Sequence, residues 1–127
     1  MGESSRPVKM RVLIVDDNEQ VRLLLRDYLS NMFDEVYECC DGSEAFNCFA
    51  LYRPDWVLMD WQMPNVDGIG AIRKIIGEFP QAKICMLTAF DEEEIRSEAL
   101  SAGARGFVTK DNMFELQAII QPPVRSH

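Results

Sequence analysis

Val12-Leu13-Ile14-Val15-Asp16-Asp17-Asn18 is the stretch on which the fold turns. Four consecutive apolar residues are too few for a helix, and they lack the polar alternation of a half-exposed strand. They fit a parallel strand covered on both faces. Trp56-Val57-Leu58-Met59, followed by Asp60, and Ile84-Cys85-Met86-Leu87, followed by Thr88, repeat the pattern. Two shorter or more polar runs, Val36 to Cys40 and Gly106 to Thr109, suit the edges of a sheet.

Segments of helical period lie between these runs. Val21, Leu24, Leu25, Tyr28, Leu29 and Met32 mark one apolar face after Asp17-x-x-Gln20, a capping-box-like start. A second helix is predicted from Ser43 to Tyr52, opened by Asp41-x-x-Glu44 and closed by Arg53-Pro54. Ile69, Ile72, Ile75, Ile76 and Phe79 define a third, stopped by Pro80. A fourth begins at Asp91 with Glu94 three residues on, buries Ile95, Ala99 and Ala102, and ends at Gly103 as a left-handed cap. Its run Asp91-Glu92-Glu93-Glu94 reads as solvated charge at the positive end of a helix dipole. A fifth opens at Asn112-x-x-Glu115, presents Leu116, Ile119 and Ile120, and halts before Pro122-Pro123. Five strands alternating with five helices imply an α/β domain: a doubly wound parallel sheet with right-handed crossovers and helices on both faces. Ligands of such sheets bind beyond the carboxyl ends of the strands.

The residues at those ends are Asp16 and Asp17, Asp60, Thr88 and Lys110. Singly each is unremarkable, since aspartates cap helices and lysines are usually solvated. Together they converge on one rim. Carboxylates crowded there repel, and a hard dication such as Mg²⁺, which takes oxygen ligands and keeps part of its hydration shell, resolves the conflict. One carboxylate can then act as nucleophile toward phosphorus, with a lysine and a hydroxyl stabilising the transferring group.

Four segments carry a resemblance that covers about Lys9 to Ile120: Val12 to Asn18, Leu58-Met59-Asp60-Trp61-Gln62-Met63-Pro64-Asn65-Val66-Asp67-Gly68, Met86-Leu87-Thr88-Ala89, and Gly103-Ala104-Arg105-Gly106-Phe107-Val108-Thr109-Lys110. With them the chain resembles response-regulator receiver domains. The resemblance implies a flavodoxin-like five-stranded parallel sheet in strand order 2-1-3-4-5. It implies that Asp60 is the phosphoacceptor, that Asp17 ligates Mg²⁺ directly, that Asp16 acts through metal-bound water or as a further ligand, and that Gln62 lends its backbone carbonyl. Thr88 and Lys110 would hold the phosphoryl oxygens. Phe107 would occupy the aromatic switch position and move inward as Thr88 swings toward the phosphate, although plain packing on an edge strand is the competing reading. Gln62 and Phe90 stand where the family varies the rate at which water removes the phosphate. The implied partners are a sensor histidine kinase or phosphotransfer protein, an output partner or effector domain, and a second copy in a homodimer. The chain departs from the family at Asp111, where many receivers have proline; the variant occurs in some receivers attached to helix-turn-helix output domains.

Composition bounds the reading. The chain has 127 residues, the size of one domain, and no stretch approaches the roughly 18 apolar residues of a membrane span. Residues 1–8 are expected to form a flexible tail, 9–121 the receiver domain, and 122–127 a tail or the start of a linker. The polar N-terminus lacks a secretory core, so a cytoplasmic location is the default expectation. A net charge of −8 disfavours direct contact with nucleic acid. Cys39, Cys40, Cys48 and Cys85 show no C-x-x-C spacing and the only histidine is His127, so reduced, partly buried thiols are expected and no zinc site. A flavin or nucleotide site is disfavoured because acidic residues, not glycines, follow the first strand. An aspartate-nucleophile phosphatase would need an acid-base aspartate close after Asp60, where Trp61-Gln62 stand instead. The chain is thus expected to be a regulator and not an enzyme. The remaining alternative is a degenerate receiver that binds a protein without being phosphorylated.

Overall fold

The computed structural model describes residues 9–120. Its elements run β1 (Arg11–Val15), α1 (Glu19–Leu29), β2 (Glu35–Cys39), α2 (Gly42–Tyr52), β3 (Trp56–Met59), α3 (Gly68–Glu78), β4 (Ile84–Thr88), α4 (Glu93–Ala102), β5 (Gly106–Thr109), a 3-10 turn (Lys110–Asn112) and α5 (Glu115–Ile120). The five strands pair in parallel in the order β2-β1-β3-β4-β5, as the resemblance implies. Among the described residues no helix is long and apolar enough to cross a membrane.

Alternate strand residues divide between two cores. Leu13, Val15, Val57, Met59, Ile84, Met86 and Phe107 pack with α2, α3 and α4 on one face. Val12, Ile14, Leu58, Cys85, Leu87 and Val108 pack with Leu25 and Leu29 of α1 and Leu116 and Ile120 of α5 on the other. Both faces of β1, β3 and β4 are therefore buried, which is why their sequences read as unbroken apolar runs. At the edge, β2 is only half-buried along most of its length.

Helix starts depart from expectation in three places. The N-cap of α1 is Asn18, whose side chain accepts from the amides of Gln20 and Val21; this leaves the neighbouring Asp17 out of the capping. Such a cap is worth about 1 kcal/mol. Leu24 is 59% exposed, because Leu25 and Leu29 take the core-facing positions and Leu24 lies about 100° round the helix from Leu25. Helix α4 starts at Glu93 and not at Asp91; Glu92 is the cap residue and makes no side-chain cap bond. Asn112 belongs to the 3-10 turn instead of capping α5. The second helix and its Asp41 cap, and the left-handed Gly103 (φ 119°) that ends α4, are as expected. The tails at 1–8 and 122–127 and the stop at Pro122-Pro123 lie outside the described residues.

Candidate functional site

Parallel pairing brings the carboxyl ends of β1, β3, β4 and β5 to one edge. There, Asp16, Asp17, Asn18, Asp60, Gln62, Thr88, Ala89, Phe90 and Lys110 line a pocket of about 240 Å³. Carboxylate oxygens of Asp16, Asp17 and Asp60 lie within 4.8 Å of one another. Asp16, Asp60 and Thr88 are buried, while Asp17 is exposed.

The turn after β1 is held by short bonds. Asp16 Oδ1 accepts from the Asn18 amide at 2.9 Å, and the Asp16 amide donates to the Cys39 carbonyl at 3.0 Å. Asp60 leaves β3 with its amide donating to Val15 O at 2.9 Å, which fixes the two acidic positions side by side. Lys110 comes from beyond β5, its Nζ 2.9 Å from Asp16 Oδ2 and 3.2 Å from Asp60 Oδ1.

The electrostatics follow from that crowding. Burial, and then the charge on Asp16, push the Asp60 pKa up to about 6 against the pull of Lys110. Burial works against the charged form of Lys110, but its bonds to Asp16 and Asp60 outweigh it and the pKa is raised. One ammonium thus faces a three-carboxylate cluster. Further positive charge would relieve it, and an all-oxygen donor set at one open rim fits a hard divalent ion such as Mg²⁺.

The Thr88 hydroxyl oxygen accepts from the Phe90 amide at 3.2 Å, leaving its own proton available. The loop after Lys110 is shaped by Asp111, whose carboxylate accepts from the Thr109 hydroxyl at 2.7 Å within the 3-10 turn. Phe107 is the one expected site residue not on the pocket wall. It is buried among the core side chains beneath α4, with the Arg96 guanidinium 4.6 Å from its ring centre.

Gly68 stands in the sequence only as part of the segment after Asp60 that carries the resemblance; in the fold a Cβ there would fall 2.0 Å from the Asp60 carbonyl oxygen, so only glycine lets α3 start so close to the acceptor. Sequence reading missed the support of the pocket rim by an edge-to-face pair, Trp61 and Phe90, with ring centres 5.5 Å apart. A larger cavity, about 520 Å³, opens at the opposite edge of the sheet between Arg53-Pro54-Asp55 and Phe79 to Lys83. It gathers none of the strand-end carboxylates, so the chemistry belongs to the smaller pocket. The four cysteines are free thiols, with Cys39 and Cys85 buried, Cys48 half-buried and Cys40 exposed.

The sequence profile of the response regulator receiver domain matches residues 12–121. The chain is 40% identical over 104 residues to the uncharacterized transcriptional regulatory protein YhcZ of Bacillus subtilis, covering 80% of this chain and 49% of that protein, so it spans about half the length of this relative. It is 42% identical over 100 residues to the chemotaxis protein CheY of Halobacterium salinarum, covering 79% of this chain and 83% of that one. Among solved structures, the CheX-CheY-BeF3-Mg+2 complex from Borrelia burgdorferi superposes with a TM-score of 0.77 at 26% identity, over 89% of this chain and 90% of that one.

Proposed function

Because the chain belongs to the response regulator receiver domain family, whose members are phosphorylation-dependent signalling regulators, we propose that it is switched by a phosphoryl group carried on Asp60. The observation that carries this reading is the position of Lys110 Nζ, in reach of both Asp16 and Asp60 at the rim where three carboxylates converge.

The donor is the phosphohistidine of a sensor kinase or phosphotransfer protein. Ionised Asp60 attacks phosphorus through a carboxylate oxygen as the bond from phosphorus to the imidazole nitrogen breaks. The imidazole leaves with the bonding pair and takes up a proton, and Asp60 becomes a mixed anhydride. With a pKa of about 6, Asp60 is mostly ionised at neutral pH. Lys110 balances charge on the phosphoryl oxygens, and the Thr88 hydroxyl donates to one of them. Asp16, Asp17, Asp60 and the Gln62 carbonyl would hold Mg²⁺, which supplies charge neutralisation between carboxylates and phosphoryl group; the Borrelia complex, which contains CheY with beryllofluoride and magnesium, is consistent with that assignment.

The new dianion draws Thr88 inward and with it the Phe90 amide bonded to its hydroxyl. The rearrangement reaches Phe107, under Arg96 of α4, and changes the surface offered to an output partner or effector domain in the cytoplasm. Incubation with acetyl phosphate and Mg²⁺ tests the reading. A single added phosphoryl group that maps to Asp60, and is absent from Asp60→Asn, is the expected result. Failure of the intact chain to take up label at saturating Mg²⁺ would instead favour a phosphorylation-independent binding module.

A further inference from the structure

The acidic turn after β1 is gripped from outside the pocket by a side chain that pairs with none of the pocket carboxylates. Arg22, at the start of α1, donates from a terminal guanidinium nitrogen to the Asp16 carbonyl oxygen at 2.8 Å and from Nε to Glu38 Oε1 at 2.9 Å. Arg26, one turn on, takes the other Glu38 oxygen at 2.6 Å and the Val36 carbonyl at 2.9 Å. Burial tends to raise the Glu38 pKa, but the two guanidinium groups outweigh it and the carboxylate is held ionised. Arg22 itself is largely enclosed, with 16% of its side chain exposed.

The carbonyl that Arg22 grips belongs to the peptide that contains the Asp17 amide. Fixing that peptide plane fixes the direction in which Asp17 leaves the backbone. This matters because, among the described residues, the Asp17 carboxylate has no hydrogen-bond or ion-pair partner of its own. Asp16, in contrast, is held through its amide, its carbonyl and both carboxylate oxygens.

We propose that Arg22 is a positioning residue for the cation site: braced by Glu38, it holds the Asp16–Asp17 peptide and so aims the Asp17 carboxylate into the pocket. The inference rests on the reading of that pocket as a Mg²⁺ site. Its effect is geometric and opposes its charge, since a nearby cation by itself disfavours a dication. Lysine keeps the charge but loses the planar fork that serves two acceptors at once.

The test is calorimetric titration of the folded chain with magnesium chloride, well below each variant's melting midpoint. Arg22→Lys is expected to weaken Mg²⁺ binding about tenfold, as is common when a supporting contact of a metal site is lost. Its labelling by acetyl phosphate should return to the wild-type rate once Mg²⁺ is saturating. Arg26→Lys, which loosens the same helix without touching Asp16, should lower the melting midpoint and leave Mg²⁺ affinity unchanged. Equal affinity of Arg22→Lys and wild type overturns the inference, as does an equal loss in Arg26→Lys, which would mark a merely structural brace. An Arg22→Gln variant that binds the ion more tightly than wild type, with Arg22→Lys unchanged, would reduce the role to charge and also overturn it. A wild-type chain that does not bind Mg²⁺ removes the metal reading itself, and the inference with it.

Discussion

Lys110 reaches Asp60 across the sheet edge, its Nζ 3.2 Å from Asp60 Oδ1, although 49 residues of the chain and two β-α crossovers separate them. The same nitrogen also serves Asp16, so two buried carboxylates share one ammonium.

Lys110→Met leaves those carboxylates facing each other with no cation between them. Breaking a buried pair from one side costs about 3 kcal/mol. The variant should therefore melt well below wild type in chelator, and Mg²⁺ should restore part of the loss, because an ion that binds only the folded chain stabilises it. Labelling by acetyl phosphate should slow by about a hundredfold or more at saturating Mg²⁺. A variant that melts like wild type in chelator would show that the shared ammonium contributes little.

Asp60 gives a pH dependence of defined sign. Its folded pKa of about 6 lies above the ordinary 3.8, so the folded chain binds this proton more tightly than the unfolded one. The stabilisation from this group is fully present below pH 3.8 and is lost as pH rises through about 6. In chelator at pH 8, Asp60→Asn should therefore be more stable than wild type by about 3 kcal/mol, and the gap should narrow as the pH falls through about 6 and close near pH 3.8. Denaturant melts at both pH values measure it. A gap that persists unchanged at low pH would assign it to something other than the buried charge.

Two glycines of α3 should respond in opposite directions. At Gly68 a new Cβ would meet the Asp60 carbonyl oxygen at 2.0 Å and the end of Met86 at 2.9 Å, and the backbone oxygen cannot yield without moving the acceptor. Gly68→Ala should cost about 3 kcal/mol and weaken Mg²⁺ binding. At Gly77 nothing lies within 4 Å. Gly77→Ala should raise stability by about 0.5 kcal/mol through helix propensity alone, and leave Mg²⁺ binding untouched. Thermal melts and ion titrations of the two variants check both halves.

What could be read from the sequence was local or periodic. The runs at Val12, Trp56 and Ile84 announced buried strands because both their faces are covered, and the polar residue ending each run then had to lie on the ligand-binding edge. Helix starts were less legible, since several nearby acids or amides can cap. Asp91-x-x-Glu94 has a capping pattern, yet Asp91 lies 3.8 Å from Arg96 and the chain turns helical only at Glu93. Asn112 lost its capping position to a tight turn in which Asp111 binds Thr109, a contact invisible without the loop. Arg22 reads as one more solvated cation on a helix until β2 brings Glu38 beside it. The close approach of Gly68 to Asp60 needs the register of a loop and a helix start that spacing does not specify.

Trp61 and Phe90 meet edge to face at the mouth of the pocket, with an interplanar angle of 78°, and join the loop after β3 to the loop after β4. Phe90 lines the pocket and is 40% exposed, which puts it at the boundary between pocket and solvent. Hydrolysis of an aspartyl phosphate needs a water on the far side of phosphorus from Asp60, and an apolar ring at the entrance limits that access. Phe90→Ala should shorten the lifetime of the phosphorylated chain severalfold, because a cover against water is lost. Trp61→Leu, which removes the ring against which Phe90 packs, should shorten it by a smaller factor. The measurement is decay of label after acetyl phosphate is removed, with Mg²⁺ held saturating so that ion affinity does not enter. A lifetime unchanged or lengthened in Phe90→Ala would mean that water reaches the phosphoryl group by another side of the rim, past Asn18 or Gln62, which also line the pocket.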